Sequence, residues 1–184
     1  MKKVGFYGGT FDPFHFGHLH LIYTALEAHL VDEVFVVPNY QSPLKNLSPS
    51  ADIAHRIKMC EAALQNHVHV RVLEIEKEAL SYTIDSLEFL KNKFTDCQFR
   101  LLMGSDQIQN FHLWKNYASL IKNFSPIAFT RGNFVSIPGV TVHPIPQIEI
   151  SSTDIRARFK KKLPVDHLIP MKVLDYINHH HLYS

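Results

Sequence analysis

The feature of the sequence that most restricts its fold is an alternation of short apolar runs with segments of helical periodicity. The runs at 4–7, 34–37 and 99–103 are followed by Gly8, Pro38 and Gly104. Short apolar runs bounded in this way are typical of buried strands in a parallel sheet. Between them, apolar residues recur at the spacing of one helix face. The alternation predicts an α/β protein with a Rossmann-like, mostly parallel sheet and helices on both faces.

Weaker patterns extend this alternation to the end of the chain. Apolar residues at helical spacing predict helices over 19–30, 53–64, 84–94 and 114–121. Alternating or β-branched residues predict further strands over 68–72, 126–129 and 140–145. A chain of 184 residues is long enough for one sizeable core, and it contains no internal repeat or long linker. We therefore expect a single domain over residues 1–184.

The composition excludes several classes of protein. Hydrophobic residues make up 46% and charged residues 20%, as in an ordinary globular chain, so wholesale disorder is not expected. Lys and Arg number 19 against 17 Asp and Glu, a net charge of +2, which argues against a general nucleic-acid binder. No stretch is apolar enough to span a bilayer, and the residues after Met1 do not resemble a signal peptide. We expect a cytoplasmic protein that binds neither nucleic acid nor membrane.

Three further features are interpreted as structural. Cys60 and Cys97 lie far apart and predict free thiols in a reducing compartment, without a zinc site. The run from His179 to His181 is interpreted as the solvated end of a helix in preference to a metal site. Arg56, in the second predicted helix, is interpreted as a surface charge in preference to a phosphate contact. No dedicated metal site is expected.

In sheets of this kind, ligands bind at the carboxyl ends of the strands, where the strand order reverses. The chemistry is therefore expected in the loops at 8–18, 38–47 and 104–114, and from 131 onward.

The first of these loops carries the strongest signal and reads Gly8-Gly9-Thr10-Phe11-Asp12-Pro13-Phe14-His15-Phe16-Gly17-His18. Its glycines allow close approach of the backbone to a ligand, and it leads into a helix start that favours phosphate. His15 and His18 lie on one side of that helix, where imidazoles can donate to phosphate oxygens. The structural alternative is a glycine turn whose histidines only cap or pack.

A second candidate phosphate site precedes a basic segment near the end of the chain. Ser151 and Asp154 fit the S-x-x-D capping pattern of a helix start, and Ser152, Thr153 and Arg156 lie within it. Hydroxyl and N–H groups at a helix start can bind triphosphate oxygens, and arginine can do so through two hydrogen bonds. The alternative is a capped helix with a solvated cationic face.

Together, the two segments resemble the motifs of a known enzyme superfamily. The pattern G-G-T-F-D-P-x-H-x-G-H is similar to the first motif of the H-x-G-H nucleotidyltransferases, which transfer a nucleotide from ATP or CTP and release pyrophosphate. The pattern I-S-S-T-x-I-R resembles the second motif of the adenylyltransferase branch. Over nearly its whole length the chain resembles nicotinate-nucleotide adenylyltransferases. The resemblance implies the nucleotidyltransferase fold and an enzyme of NAD biosynthesis.

Two internal segments carry this resemblance at the acceptor site. Residues 81–87 read S-Y-T-I-D-S-L, close to the family's S-Y-T-x-D-T-L, and residues 104–106 read G-S-D, followed by Trp114. The resemblance implies that Tyr82 and Thr83 line the pyridine-nucleotide site. It also implies that Asp106 contacts ribose hydroxyls or orients the site, and that Trp114 stacks on the pyridine ring. Taken alone, Thr83 fits a helix cap and Trp114 a core residue equally well.

Three positions depart from the family pattern. Ser42-Pro43-Leu44-Lys45 stands where P-P-H-K is common, and Arg131-Gly132-Asn133 stands where R-P-G is common. Lys115 follows Trp114, where an aromatic residue or histidine is frequent. Lys45 remains a candidate phosphate contact, and Arg131 a candidate contact to the mononucleotide phosphate. The departures leave the details of the acceptor site open.

The resemblance implies that ATP and nicotinate mononucleotide react to give nicotinate adenine dinucleotide and pyrophosphate, with Mg²⁺ brought in by ATP. The implied catalytic residues are His15, His18 and Arg156. The implied ATP-binding residues are Gly8, Gly9, Thr10, Phe11, His15, His18, Ser152, Thr153 and Arg156. The implied acceptor-binding residues are Lys45, Tyr82, Thr83, Gly104, Asp106, Trp114 and Arg131.

Other interpretations stay open at this point. The acceptor can instead be nicotinamide mononucleotide or phosphopantetheine, and a non-catalytic nucleotide sensor would keep the same cleft. The presence of both His15 and His18 counts against a sensor. The sequence also leaves open the oligomeric state, a homo-oligomer included. It does not say whether Asp12 takes part in the chemistry or only fixes the turn before Pro13.

Overall fold

A computed structural model of the chain describes residues 1–41, 48–75, 82–130, 137–146 and 148–184. The strands are β1 (Lys2–Gly9), β2 (Glu33–Pro38), β3 (Val70–Val72), β4 (Cys97–Gly104), β5 (Ile127–Thr130) and β6 (Thr141–Pro144). The helices are α1 (Phe16–Glu27), α2 (Ile53–Leu64), α3 (Thr83–Lys93), α4 (Ser105–Ile108), α5 (Tyr117–Phe124), α6 (Ser152–Lys160) and α7 (Met171–His179). A 3₁₀ turn (Phe111–Leu113) precedes α5.

The six strands form one sheet in the order β3-β2-β1-β4-β5-β6. Every neighbouring pair of these strands is parallel, so the predicted α/β fold with a mostly parallel sheet is confirmed. The order reverses between β1 and β4, which places the carboxyl ends of these two strands side by side. Such a reversal leaves a crevice above the sheet, because the connections on its two sides run in opposite directions.

Side chains of the central strands alternate between two apolar cores. Phe35 and Val37 lie in a core shared with α3 and α5, whereas Val34 and Val36 lie in a core shared with α1 and α2. The alternation follows from the two-residue period of a strand, and it explains why β2 is apolar at successive positions. Helices therefore cover both faces of the sheet, as predicted. Complete burial of a side chain such as Phe35 stabilises the fold by about 1.5–3 kcal/mol.

A third apolar cluster joins α2, α6 and the C-terminal helix α7. Met59 of α2 packs in this cluster with Ile155 of α6 and with Val173 and Ile177 of α7. The cluster brings the end of the described chain to the same side of the molecule as the start of α2.

Several predicted boundaries are wrong, each for a local reason. The helix predicted over 114–121 begins only at Tyr117, because Asn116 adopts a left-handed backbone with φ 52°. The helix predicted over 19–30 ends at Glu27. The strand predicted from 68 begins at Val70, and Val68 is 87% exposed. Helix α4 has four residues, too few for periodicity to show.

The two cysteines and the histidine run lie at separate places in the fold. Cys60 and Cys97 are free and buried. Residues 179–181 are exposed at the end of α7. Among the described residues, no helix is both long and apolar enough to cross a membrane.

Candidate active site

A cavity of about 640 Å³ lies at the carboxyl ends of β1 and β4, where the strand order reverses. The loop after β1, the start of α4 and the start of α6 contribute most of its polar lining. The lining includes Gly8, Gly9, Thr10, Phe11, Asp12, His15, His18, Gly104, Asp106, Gln107, Ser152, Thr153 and Arg156. The cavity therefore lies where the strand pattern predicted a ligand site.

The aromatic residues of the first loop form an apolar support for His18. The rings of Phe11 and Phe14 are buried, and their centroids lie 4.9 and 5.1 Å from that of the His18 ring. Phe11 has a left-handed backbone with φ 49°, which is uncommon for an aromatic residue. A Cβ atom at Gly9 would lie 2.8 Å from the Phe11 ring, so only glycine fits there without displacing the ring. The loop is built to hold the His18 ring in one place.

The two motif histidines stack on each other at the start of α1. His15 is the N-cap residue of this helix and is buried, and its ring centroid lies 3.6 Å from that of His18. The backbone N–H of His15 donates to Nδ1 of His18 at 3.1 Å. Since Nδ1 accepts this bond, a neutral His18 ring carries its proton on Nε2. The main chain thus selects the tautomer in which His18 Nε2 is a hydrogen-bond donor.

The start of α6 is fastened to the first loop. The predicted cap is confirmed, because Ser151 Oγ accepts from the N–H of Asp154 at 3.1 Å. Ser152 Oγ donates to the carbonyl of Pro13 at 3.0 Å, and Arg156 Nη1 donates to the carbonyl of Asp12 at 2.7 Å. Helix geometry leaves the first N–H groups of α6 without intrahelical acceptors, so they favour an anion. The two predicted phosphate-binding segments therefore face one cavity.

Asp12 holds the first loop to the rest of the site. Its side chain is buried, with Oδ2 accepting from the N–H of Ser50 at 2.7 Å and Oδ1 from the N–H of Ala51 at 3.1 Å. Oδ1 also accepts from the hydroxyl of Tyr183 at 2.7 Å. Both carboxylate oxygens are thus engaged by protein donors. Asp12 does more than fix the turn before Pro13: it joins the loop to the start of α2 and to the end of the described chain.

The interpretation of Arg56 as a surface charge is wrong, because its side chain is 1% exposed. Its guanidinium donates to four main-chain carbonyls, those of Ala51 at 3.0 Å, Thr10 at 2.8 Å, Asn39 at 2.6 Å and Tyr40 at 3.0 Å. Burial lowers the pKa of this guanidinium from its ordinary value. Through these hydrogen bonds, Arg56 clamps the loops after β1 and β2 to the start of α2. No local sequence pattern predicts these carbonyls as its partners.

The predicted acceptor residues fall into three groups. Gly104 and Asp106 line the cavity. Tyr82, Thr83 and Trp114 do not belong to the described lining. Trp114 packs edge-on against Phe111, with ring centroids 5.4 Å apart. Lys45 and Arg131 lie outside the described residues.

Lys115 follows Trp114 in the chain, and its side chain contacts the ring of Tyr82. Both aromatic residues belong to the predicted acceptor site. Nζ of Lys115 lies 4.6 Å from the centre of the Tyr82 ring and 2.8 Å from Oδ2 of Asp85. The start of α3 and the segment after Trp114 are therefore neighbours, although more than 30 positions separate Tyr82 from Trp114 in the sequence. The departure from the family pattern at position 115 thus falls on a residue that contacts Tyr82, one of the predicted acceptor residues.

Gln107 is a cavity residue that the sequence analysis missed. Its Oε1 is buried and has no hydrogen-bond partner among the described residues. An unsatisfied acceptor of this kind suits a donor on a bound molecule or a water. Its position directly after Asp106, in the short helix α4 that follows β4, was the available signal. Within the described ranges, no group of three or more His, Cys, Asp or Glu side chains is placed to hold a metal ion.

Comparison with known proteins agrees with this geometry. The model of the cytidylyltransferase-like family matches residues 6–158, which contain both segments predicted to bind phosphate. The nicotinate-nucleotide adenylyltransferase of Bacillus subtilis (strain 168) is 36% identical to this chain, and the match covers 100% of each. The chain belongs to the nicotinate-nucleotide adenylyltransferase family. A probable nicotinate-nucleotide adenylyltransferase of Bacillus pumilus (strain SAFR-032) is also 36% identical over 100% of both chains.

A solved structure supports the fold of this family member. Nicotinic acid mononucleotide adenylyltransferase of Plasmodium falciparum, complexed with NaAD, is similar with a TM-score of 0.84 and 24% identity. The match covers 100% of this chain and 98% of that one. The relatives and the family model confirm the family that the sequence resemblance predicted, and the solved structure supports the nucleotidyltransferase fold. All residues predicted to bind ATP line the cavity, while the role of each one remains a prediction.

Proposed function

We propose that this enzyme transfers the adenylyl group of ATP to nicotinate mononucleotide, giving nicotinate adenine dinucleotide and pyrophosphate for NAD biosynthesis. The observation that carries the proposal is the placement of two phosphate-binding segments on one cavity. One is the stacked pair of His15 and His18, and the other is the start of α6 with Arg156. Full-length relatives named for this activity support the choice of acceptor. The cysteines, interpreted as reduced thiols, favour the cytoplasm as the place of the reaction.

The reaction needs no protein nucleophile. An oxygen of the acceptor 5′-phosphate attacks the α-phosphorus of ATP, the bond from that phosphorus to the β-phosphate oxygen breaks, and pyrophosphate leaves. The nucleophile is already an anion, so no proton has to be removed from it. Catalysis then depends on positioning and on stabilisation of charge around the α- and β-phosphates.

The residues of the cavity suit these two tasks. The N–H on His18 Nε2 would donate to a non-bridging oxygen of the α-phosphate, where negative charge grows in the transition state. His15, stacked on His18, would contact the neighbouring phosphate. Arg156 and the first N–H groups of α6 would bind the β- and γ-phosphates and stabilise the leaving pyrophosphate. Mg²⁺ is proposed to arrive bound to the ATP phosphates, as part of the substrate.

The proposal predicts that pyrophosphate release requires both substrates. With ATP, Mg²⁺ and nicotinate mononucleotide, pyrophosphate should appear in equal amount to a product with the mass of nicotinate adenine dinucleotide. Omitting the acceptor, or replacing it with phosphopantetheine, should abolish release. ATP binding without turnover of any acceptor would instead support a nucleotide sensor, and turnover only with phosphopantetheine would contradict the proposed acceptor.

A further inference from the structure

Tyr183 lies more than 150 residues from the first loop in sequence, yet its hydroxyl contacts Asp12, which lines the cavity. It follows α7, and its Oη donates to Oδ1 of Asp12 at 2.7 Å. The ring packs beside Phe159 of α6, with centroids 5.9 Å apart, and Oη lies 3.9 Å from Sδ of Met59. The Tyr183 backbone is left-handed, with φ 65°, a conformation that a tyrosine keeps only where its surroundings impose it. The apolar cluster of α2, α6 and α7 supplies those surroundings.

The hydroxyl of Tyr183 is a permanent donor. Burial raises the pKa of Tyr183 well above its ordinary value, and the negative charge of Asp12 and the hydrogen bond to it act in the same direction. The hydroxyl therefore stays protonated at every pH at which an enzyme ordinarily works. It completes the set of donors around Asp12, together with the N–H groups of Ser50 and Ala51.

Asp12 in turn contacts the cation proposed to bind the leaving group. Nη1 of Arg156 donates to the main-chain carbonyl of Asp12 at 2.7 Å but lies 3.7 Å from Oδ2 of its carboxylate. The guanidinium is therefore hydrogen-bonded to a neutral carbonyl and forms only a longer ion pair with the carboxylate, whose oxygens accept hydrogen bonds from other donors. The Arg156 side chain keeps 24% of its surface exposed and lines the cavity. A guanidinium in this position keeps donors available for phosphate oxygens.

We propose that Tyr183 is a positioning residue for adenylyl transfer, acting through Asp12 on Arg156. By donating to Oδ1 of Asp12, its hydroxyl offsets part of the negative charge of the carboxylate, which limits the pull of Oδ2 on Arg156 away from the phosphates. Without the hydroxyl, Oδ1 keeps only the N–H of Ala51, and the less compensated carboxylate draws Arg156, its ion-pair partner, closer. The inference rests on the proposed function, because it assigns Arg156 to the β- and γ-phosphates.

The test compares Tyr183→Phe with Tyr176→Phe. Tyr176 also lies in the C-terminal segment, and its hydroxyl is engaged by Nδ1 of His55 at 3.0 Å, but it has no contact with Asp12 among the described hydrogen bonds. Tyr183→Phe should lower kcat about tenfold, the equivalent of one charge-assisted hydrogen bond, with KM for ATP changed less than about twofold. The effect should fall on kcat because charge on the leaving pyrophosphate grows in the transition state. Tyr176→Phe should keep the kcat of the unmodified enzyme.

A double-mutant cycle identifies the route of the effect. In an Arg156→Lys background, Tyr183→Phe should lower kcat by less than about twofold, because the residue it positions is already altered. Equal kcat for Tyr183→Phe and Tyr176→Phe would overturn the inference, and so would a full tenfold loss in the Arg156→Lys background. If Tyr183→Phe is partly unfolded, an osmolyte that favours the compact state allows kcat to be compared per folded molecule. The unmodified enzyme is assayed first, so a failure of the proposed function itself is seen separately as absence of turnover.

Discussion

We expect the His18→Ala enzyme to turn over about a hundredfold more slowly than the unmodified enzyme, or slower still, which corresponds to roughly 3 kcal/mol in the activation barrier. The reason is the geometry of the His18 ring. The N–H of His15 is bound to Nδ1, so the proton that could meet the α-phosphate sits on Nε2. Loss of that donor removes an interaction that is strongest in the transition state. The measurement is kcat for pyrophosphate release at saturating ATP and nicotinate mononucleotide.

Two further substitutions in α1 make this test specific. His18→Gln retains an amide N–H near the position of Nε2 and should recover part of the lost kcat. His20→Ala removes a histidine from the same helix that does not belong to the described lining of the cavity, and it should leave kcat unchanged. Unfolding in urea should be measured for each variant, to show that the fold is kept. A His18→Ala enzyme with near-normal kcat would remove His18 from the mechanism.

Replacement of Arg56 by alanine should give the largest loss of stability of any single change considered. The substitution leaves the carbonyls of Ala51, Thr10, Asn39 and Tyr40 without the buried donor that now satisfies them. It also opens a cavity, because the Arg56 side chain is among the largest fully buried ones. We expect the free energy of unfolding to fall by about 3 kcal/mol or more. The measurement is equilibrium unfolding in urea, with the midpoint and slope compared.

Controls for this prediction lie on the same helix and at the same position. Lys58→Ala alters an exposed side chain of α2 whose partner is Glu61, and it should leave the unfolding midpoint unchanged. Arg56→Lys keeps the charge but cannot reproduce the fork of donors, so it should be less stable than the unmodified protein and more stable than Arg56→Ala. Equal stability of Arg56→Ala and the unmodified protein would refute the role of Arg56 as a clamp.

The fold could be predicted from the sequence because its information is local. Successive apolar residues such as Val34 to Val37 mark a strand buried on both faces, and the alternation with helices requires parallel pairing. The two segments predicted to bind phosphate could be recognised for the same reason. His15 and His18 lie three positions apart and Ser152 and Arg156 four, so each candidate pair is contained in a short motif.

The parts that sequence reasoning missed depend on contacts between distant segments. Arg56 looks like any charged helical residue, and only the fold brings the carbonyls of Thr10 and Asn39 to its guanidinium. The hydrogen bond from Tyr183 to Asp12 likewise joins positions 171 residues apart, and no local pattern at either residue predicts the other as its partner. The predicted acceptor residues are likewise spread over distant segments of the chain. Lys45 and Arg131 lie outside the described residues, and their predicted roles stay predictions.

The most direct test of the proposed reaction is the ratio of kcat/KM for nicotinate mononucleotide to that for its amide, measured by pyrophosphate release with ATP and Mg²⁺. The two acceptors differ only in a carboxylate against an uncharged amide, so the ratio reports on the groups that face the pyridine substituent. N–H groups at the start of α3, near Tyr82 and Thr83, would donate to the carboxylate oxygens, whereas they would face the amide's own NH₂ donors unfavourably. The account predicts a preference for the acid of about tenfold or more, equivalent to roughly 1.4 kcal/mol. Equal rates, or a preference for the amide, would contradict it.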